Sequence, residues 1–403
     1  MGDSQFMGVF TLDQENLVRE NLVRATDAGR AQRPGYIGIR HDPDGAVAPS
    51  QLGEPSPTRS EAWCLLARRR RLADAETAFA SGMRRWHTER RQTVSRGGGA
   101  GNSMRMTATN RDRTIAVLGA GGTMGFAMTQ ALLRSGFRVR AWNRSFEKME
   151  PLAAAGAELI GTPAGAAADG ADTILTMVDD ADAVIDVMDG TDGALSTAAG
   201  DALWLQTSTI GEDGTARCEA IAEEHGLRFV DAPVLGTKQP AEEGALVVLA
   251  SGADELRERA QPVFDAIGAR TLWVGEAGAG TRLKLVANTW IVSVVESVAE
   301  TVALAQGLGL DPELLFEAVA DGPLDMGYLR AKGRAMVDRN FEPSFSLRLA
   351  AKDARLVEES AGRRGMELPL LTAVRRQLDA GVEEHGDADM SAAFLGVAPR
   401  QPA

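Results

Sequence analysis

Residues 114–144, TIAVLGAGGTMGFAMTQALLRSGFRVRAWNR, decide the fold of this chain. A β-branched, apolar run of strand length at 114–118 is followed by a turn that contains three glycines. Apolar residues then recur at helical spacing as far as Ser135-Gly136, and a second strand-like run occupies 138–142. This order of strand, glycine turn, helix and strand predicts dinucleotide binding, because glycines let backbone N–H groups approach a pyrophosphate at the start of the helix.

The glycine turn departs from the usual spacing. Gly119 and Gly121 are followed by Gly125, four residues on rather than three. The frame that begins at Ala120 restores the usual spacing but has alanine at the first glycine position. Two interpretations therefore stay open, a turn that is one residue longer or a substituted first glycine. In either case the residues expected to contact the cofactor are Gly119, Gly121, Gly122, Thr123, Met124 and Gly125.

The tip of the second strand predicts which cofactor is bound. An Asp or Glu about 20 residues after the glycines would accept hydrogen bonds from the ribose 2′-hydroxyl of NAD. This chain has Asn143, Arg144 and Ser145 there instead. With no carboxylate to repel a 2′-phosphate, Arg144 can pair with it in a charge-assisted contact. The three residues are therefore expected to contact the cofactor, with NADP(H) preferred and NAD(H) as the alternative.

Strands and helices continue to alternate to about residue 274. This alternation predicts an α/β fold with a Rossmann-type, doubly wound and mainly parallel sheet. Ligands of such sheets bind beyond the carboxyl ends of the strands. The glycine turn, the tip at 143–144, Val178-Asp179 and the segment 207–210 are therefore expected on one rim, where Val178 and Asp179 contact the cofactor.

The rest of the chain reads as helices, beginning with one long helix from residue 280 to about Gly307. Its apolar residues are spread too widely for a single exposed face, so we expect it to be buried between domains or subunits. The expected organisation is a cofactor domain at 112–276, an all-α substrate and oligomerisation domain at 277–397, and a tail at 398–403.

Two polar side chains of the long helix carry the predicted chemistry. Lys284 and Asn288 are four residues apart and share one face. A lysine on an otherwise apolar helix costs free energy unless it is paired or functional, and burial lowers its pKa toward the range of a useful proton donor. Lys284 is then the general acid to a carbonyl that is being reduced, and Asn288 holds the substrate oxygen. The alternative is a surface lysine whose ammonium reaches water.

From about Ile115 to Val397 the chain resembles the β-hydroxyacid dehydrogenase family, which includes 3-hydroxyisobutyrate dehydrogenase and tartronate semialdehyde reductase. Five motifs carry the resemblance, in order along the chain. They are VLGAGGTMG, TSTIG at 207–211, DAPVLGTKQPAEEGAL at 231–246, GAGTRLKLVAN at 278–288, and FSLRLAAKDARL from Phe345.

The resemblance implies an NAD(P)-dependent oxidoreductase that acts on CH–OH donors. It places Lys284 and Asn288 at the catalytic positions, makes Thr209 a cofactor contact, and puts Lys352 where the family has a lysine that reaches back to the cofactor. The second, all-α domain of this family commonly builds a homo-dimer or tetramer, which is the expected assembly here.

The third motif departs from the family pattern. Where the family has Ser-Gly-Gly to receive the substrate carboxylate, this chain has Leu235, Gly236 and Thr237, which are the expected substrate contacts. Leu235 removes a hydroxyl and adds bulk, so the sequence does not specify a small branched hydroxy acid. We expect hydride transfer between nicotinamide and a 3-hydroxy acid or semialdehyde. The alternatives are a reductase of another carbonyl or imine, and a non-catalytic NADP-binding protein.

The first 110 residues differ in composition from the rest. They hold sixteen Arg, no Lys and twelve Asp or Glu, whereas the remainder gives the chain its net charge of −13. We expect a disordered extension, or upstream sequence translated from a start site placed too early, with Met104 or Met106 as the true start. A third interpretation takes the cluster at 68–71 as a contact to nucleic acid or to a membrane surface.

Composition narrows the partners and the compartment. The acidic body argues against nucleic acid as a ligand, and no continuous apolar run approaches the ~18 residues of a membrane span. Cys64 and Cys218 are isolated and lack metal-ligand spacing, which fits a reducing cytoplasm and predicts no metal site. A small molecule is the expected partner.

Overall fold

The computed structural model describes residues 110–398 of the chain. Within this range a parallel α/β sheet is followed by a region built of helices. The predicted Rossmann-type fold and all-α region are therefore confirmed. The expectations for the N-terminal extension, for Cys64 and for the last five residues lie outside the described residues.

Six parallel strands form the main sheet in the order β3-β2-β1-β4-β5-β6. The order reverses between β1 and β4, and open sheets of this kind bind their ligands at that point. The strands are β1 (Thr114–Leu118), β2 (Arg138–Trp142), β3 (Glu158–Leu159), β4 (Thr173–Thr176), β5 (Leu203–Gln206) and β6 (Arg228–Asp231). The helices between them are α1 (Thr123–Arg134), α2 (Glu150–Ala154), α3 (Pro163–Ala167), α4 (Ala181–Asp189) and α5 (Gly211–Glu224).

The last strands of the α/β region form a second sheet, which corrects the prediction of one continuous sheet. It contains β7 (Val234–Leu235), β8 (Leu246–Ala250) and β9 (Gly268–Trp273), with β7 antiparallel to β8. Pro233 lies two residues after the end of β6 and interrupts the strand pairing there, because proline has no N–H to donate to a ladder. The strand pattern alone does not specify which strand pairs with which. Helices α6 (Lys238–Glu242) and α7 (Arg257–Ile267) complete this region.

The 29-residue helix α8 (Ala279–Gly307) runs through the centre of the helical region, and its predicted extent is confirmed. Its apolar residues pack with those of the following helices in one core. By length and composition it is the one helix within residues 110–398 that could cross a membrane, but half of its most apolar stretch is buried in the protein. The following helices are α9 (Glu313–Val319), α10 (Gly327–Val337), α11 (Leu347–Gly362), α12 (Pro369–His385) and α13 (Phe394–Val397).

Candidate active site

The glycine turn after β1 is one residue longer than usual. Gly119 has a φ of +100°, and a Cβ placed on it would stand 2.1 Å from the carbonyl oxygen of Met177. A Cβ on Gly125 would stand 2.1 Å from the carbonyl oxygen of Gly119. Gly119 is thus the turn glycine, and Gly125 is the glycine that permits close packing of the helix on the strand. The frame that begins at Ala120 is therefore wrong.

The start of α1 is open to an anion. Gly122 occupies the N-cap position, no described side chain caps this end, and the first turn contains no acidic residue. Thr123 is exposed and Met124 is half-buried. A Cβ on Gly121 would stand 2.7 Å from the side chain of Asn143, so the turn lies directly against the tip of β2. Bare glycine backbone at a helix N-terminus is the cradle that a pyrophosphate requires.

Two cationic side chains, Arg144 and Lys148, lie at the tip of β2. Arg144 is exposed, and Lys148 is an exposed residue whose Cβ lies 3.0 Å from the position of a Cβ on Gly121. Lys148 is not among the residues that the sequence pattern predicts, although its place one turn after Arg144 is the signal that could have found it. Ser145 is half-buried and accepts a hydrogen bond at its carbonyl from Asn143 Nδ2 at 3.0 Å. Ser145 occupies the N-cap position of the short helical turn Phe146–Met149, but its side chain makes no capping bond to the described backbone.

The opposite side of the cradle is formed by the ends of β4 and β5. Val178 lies against Gly119, with its Cγ1 2.9 Å from the position of a Cβ there. Its backbone N–H donates to Ser208 Oγ at 2.9 Å, which joins the two strand ends. Lys352 Nζ of α11 donates to the carbonyl oxygen of Asp179 at 2.7 Å and to that of Thr209. The structure therefore brings all four predicted residues of this side together, namely Val178, Asp179, Thr209 and Lys352.

A buried carboxylate fixes the beginning of α8. Asp231, at the end of β6, is fully buried and accepts hydrogen bonds from the Thr281 N–H and hydroxyl, both at 2.8 Å. Ser251 Oγ donates to the same carboxylate at 3.0 Å and accepts from the Gly280 N–H at 2.9 Å. Burial raises the pKa of Asp231 to about 6, although the bonds from Thr281 oppose this shift. The first turn of α8 is thus tied to β6 and β8.

Lys284 follows this anchored turn and is buried rather than turned to water. It is 9% exposed, and its Nζ donates to the carbonyl oxygen of Val234 at 2.8 Å. Burial lowers the pKa of Lys284 to about 8, while the charge of Asp353 works in the opposite direction. Of the two interpretations of Lys284 given by the sequence, the structure therefore supports the buried lysine over the surface lysine. Its ammonium is a stronger acid than that of an exposed lysine.

Asn288 lies one turn further along α8 and is held by an acid of α11. Its Nδ2 donates to Asp353 Oδ2 at 2.7 Å, and both residues are buried. Its Oδ1 is buried and finds no partner among the described residues. Asp353 is not among the residues that the sequence predicts, since its contact is 65 positions away from Asn288. The free oxygen is an acceptor that a hydroxyl of a ligand can satisfy.

The predicted substrate loop lies directly beside Lys284, because it follows Val234. Leu235 is half-buried at the end of β7, and Gly236 has a φ of +128°. This φ requires glycine, and a Cβ on Gly236 would also stand 2.6 Å from Leu246 Cδ2. Thr237 precedes α6 without capping it by any described hydrogen bond, which leaves its hydroxyl free for a ligand.

The predicted site residues therefore form two connected groups. Lys284, Asn288 and the loop 235–237 make the first, and the rim of the main sheet makes the second. They meet on α11, where Lys352 and Asp353 are neighbours joined by an ion pair of 3.0 Å. Within the described residues, no group of three or more His, Cys, Asp or Glu could hold a metal. The arrangement can bind a dinucleotide and deliver a proton next to it.

Comparisons with known proteins cover the same two regions. Residues 114–275 match the NAD binding domain of 6-phosphogluconate dehydrogenase, and residues 278–395 match the family described as NAD-binding of NADP-dependent 3-hydroxyisobutyrate dehydrogenase. Glyoxylate/succinic semialdehyde reductase 1 of Arabidopsis thaliana is 30% identical over 280 residues, which is 68% of this chain and 96% of that protein.

Two further relatives are a nuclear factor and a dehydrogenase of known structure. The cytokine-like nuclear factor N-PAC of Homo sapiens is 30% identical over 287 residues, which is 71% of this chain but 52% of that protein. The structure of Mycobacterium tuberculosis 3-hydroxyisobutyrate dehydrogenase with L-serine has a TM-score of 0.63 and 27% identity. It covers 70% of this chain and 98% of that one.

The longer glycine turn makes a specific prediction for alanine substitutions. Gly125→Ala should weaken cofactor binding about tenfold or more. The new methyl group would push against the carbonyl oxygen of Gly119, and the resulting strain costs roughly 1–3 kcal/mol. Gly200→Ala, before the amino end of β5 and away from the rim, is the control, since its Cβ would meet nothing within 4 Å. Fluorescence titration with NADPH measures both, and equal affinities for the two variants would contradict the assigned glycine roles.

Proposed function

Because the chain belongs to the β-hydroxyacid dehydrogenase family of NAD(P)-dependent oxidoreductases, we propose that it interconverts a semialdehyde or related carbonyl acid and its hydroxy acid. The observation that carries this proposal is the buried Lys284 between the loop 235–237 and the Asn288–Asp353 pair. The relatives named as glyoxylate/succinic semialdehyde reductases support a small carbonyl acid as the substrate class.

The proposed mechanism uses Lys284 as the proton donor. NADP(H), when bound in the glycine cradle, supplies or accepts the hydride. Lys284 Nζ donates a proton to the carbonyl oxygen during reduction and accepts it during oxidation. A pKa of about 8 keeps this ammonium charged at neutral pH while making proton release easier than from an exposed lysine. Asn288 Oδ1 accepts the hydrogen bond of the alcohol, and burial of both groups excludes water.

The loop 235–237 is proposed to select the substrate. The backbone of Gly236 and the hydroxyl of Thr237 receive the carboxylate, a role that a donor pair next to Lys284 can fill. Leu235 presents an apolar, half-buried side chain at the same place. This narrows the site, so an unbranched semialdehyde fits it better than a branched hydroxy acid.

Lys284→Ala tests the mechanism. Turnover should fall by about 10²–10⁴-fold because the general acid is lost, while the dissociation constant for NADPH stays nearly unchanged. In the wild type, the rate of carbonyl reduction should decline above about pH 8, where Lys284 loses its proton. Arg282→Ala, an exposed cation on the same turn, is the control. Retained turnover in Lys284→Ala, measured by NADPH consumption over semialdehydes, keto acids and cyclic imines, would exclude this mechanism.

The cofactor is proposed to be NADP(H) in preference to NAD(H). The tip of β2 carries no carboxylate at 143–145. Arg144 and Lys148 are both exposed there, and Lys148 lies beside Gly121 of the glycine turn. Two cations can share a 2′-phosphate, whereas the uncharged ribose of NAD(H) gains nothing from them.

Arg144→Asp should invert this preference. The new carboxylate repels the 2′-phosphate and can accept hydrogen bonds from a ribose hydroxyl, so KM for NADPH should rise about tenfold or more while KM for NADH does not. Arg138→Asp, at the exposed amino end of the same strand, is the matched control. An NADPH affinity that is the same in Arg144→Asp and in the wild type would refute the role of Arg144.

A non-catalytic cofactor-binding protein is the second candidate. The similarity to N-PAC favours it, because that relative is named as a nuclear factor rather than as an enzyme. The presence of both Lys284 and Asn288 in a buried, connected arrangement favours catalysis. The NADPH-consumption screen separates the two, since a non-catalytic protein binds NADPH and consumes none.

The region 277–397 is proposed as the oligomerisation domain, in a homo-dimer or tetramer. One face of α8, continued by the residue that follows the helix, carries large apolar side chains that are well over half exposed. They are Val286 (67%), Trp290 (65%), Leu304 (61%) and Leu308 (66%). Trp290→Glu should shift the sedimentation mass toward one chain, because it places a charge in this contact. A wild type that sediments as a monomer would contradict the proposal.

A cytoplasmic location is proposed from the cysteines. Burial raises the pKa of the unpaired Cys218 thiol to about 12, so it is an inert core residue rather than a disulfide partner. Cell fractionation tests this location, and recovery in a secreted or membrane fraction would contradict it.

A further inference from the structure

One face of α11 follows the segment 209–213 of the main sheet's rim. Lys352 donates to the carbonyl oxygen of Thr209. One turn later, Leu356 Cδ2 lies 2.8 Å from the position of a Cβ on Gly211, whose φ is +73°. Side chains four positions apart share a helix face, so the same face continues toward the end of α11. The segment therefore has direct contacts with α11 at its beginning and at its middle.

The end of the segment is held by charges. Arg364 forms a two-pronged bond to Glu212, with Nη1 at 2.8 Å from Oε1 and Nη2 at 2.7 Å from Oε2. Ser360 Oγ donates to the same carboxylate, and Arg363 Nη1 lies 2.6 Å from Asp213 Oδ2. The bonds from Arg364 lower the pKa of Glu212 to about 2, so this carboxylate is charged throughout the neutral range. A two-pronged guanidinium–carboxylate pair has the geometry for which a partly exposed ion pair matters energetically.

We propose that the ion pairs of Glu212 and Asp213 with Arg364 and Arg363 form a clamp that positions the cofactor-side loop at Thr209. This inference rests on the proposed cofactor binding and goes beyond it, since the clamping residues need no contact with the cofactor. They act through the five-residue segment 209–213, which is contacted at its beginning, its middle and its end. Because Asp353 holds Asn288 from the same helix, α11 fixes the cofactor loop and the catalytic amide in one frame.

Two arginines, one in α11 and one two residues after its end, provide a matched comparison. Arg364 belongs to the clamp, whereas Arg355 pairs at 3.1 Å with Asp379 of α12. Arg364→Gln should raise the dissociation constant for NADPH about five- to tenfold, measured by fluorescence titration at low salt. Arg355→Gln should leave it unchanged. The difference between Arg364→Gln and the wild type should shrink at about 0.5 M salt, because salt screens partly exposed charges.

A charge swap distinguishes positioning from general stability. Glu212→Arg combined with Arg364→Glu restores an ion pair with reversed polarity, so it should recover most of the NADPH affinity that Glu212→Arg alone loses. All variants are titrated below the melting transition of Glu212→Arg, so recovery of affinity reports the position of the loop and supports the clamp. A folded double variant that binds as weakly as Glu212→Arg overturns it.

The remaining outcomes are separable. If the wild type binds neither NADPH nor NADH, the proposed function and the clamp both fail. If the wild type binds and Arg364→Gln matches Arg355→Gln in affinity, only the clamp fails. A lower melting temperature in Arg364→Gln with unchanged NADPH affinity shows a purely structural contact, which also overturns the proposal.

Discussion

The buried carboxylate of Asp231 determines how the helical region is joined to the sheet. It sits at the end of β6 and accepts two hydrogen bonds from Thr281, in the first turn of α8. Such a charge would be costly to bury alone, and the unpaired N–H groups and dipole of a helix start are a natural partner for it. A Cβ on Gly280 would stand 2.2 Å from the carbonyl oxygen of Leu249, so the helix approaches β8 as closely as backbone allows. This contact also fixes the position of Lys284, which follows one turn later.

The site lies where two helices of the second region cross the rim of the first. α8 supplies Lys284 and Asn288, while α11 supplies Asp353 to Asn288 and Lys352 to the loops that follow β4 and β5. Helix α11 therefore contacts both Asn288 and the cofactor side of the site. Burial at this place lowers the pKa of Lys284 to about 8.

Much of the fold follows from local patterns. The bounds of β1, β2 and α8 are predicted closely because their periodicity depends on near neighbours. The second sheet is not predicted, since a three-strand arrangement with an antiparallel β7 is a matter of long-range pairing. Asp353 escapes prediction for the same reason, because its significance comes from Asn288, which is 65 positions away.

The sequence by itself determined the nucleotide-binding turn, the absence of a carboxylate at the tip of β2, and the placement of Lys284 and Asn288 on one helix face. These properties depend on residue types at short spacing, which the sequence shows directly. Only the tertiary structure decided that the turn is one residue longer, that Lys284 is buried, and that Glu212 meets Arg364 from 152 positions away. Burial and hydrogen bonding depend on which distant segments the fold brings together, and no local pattern contains that information.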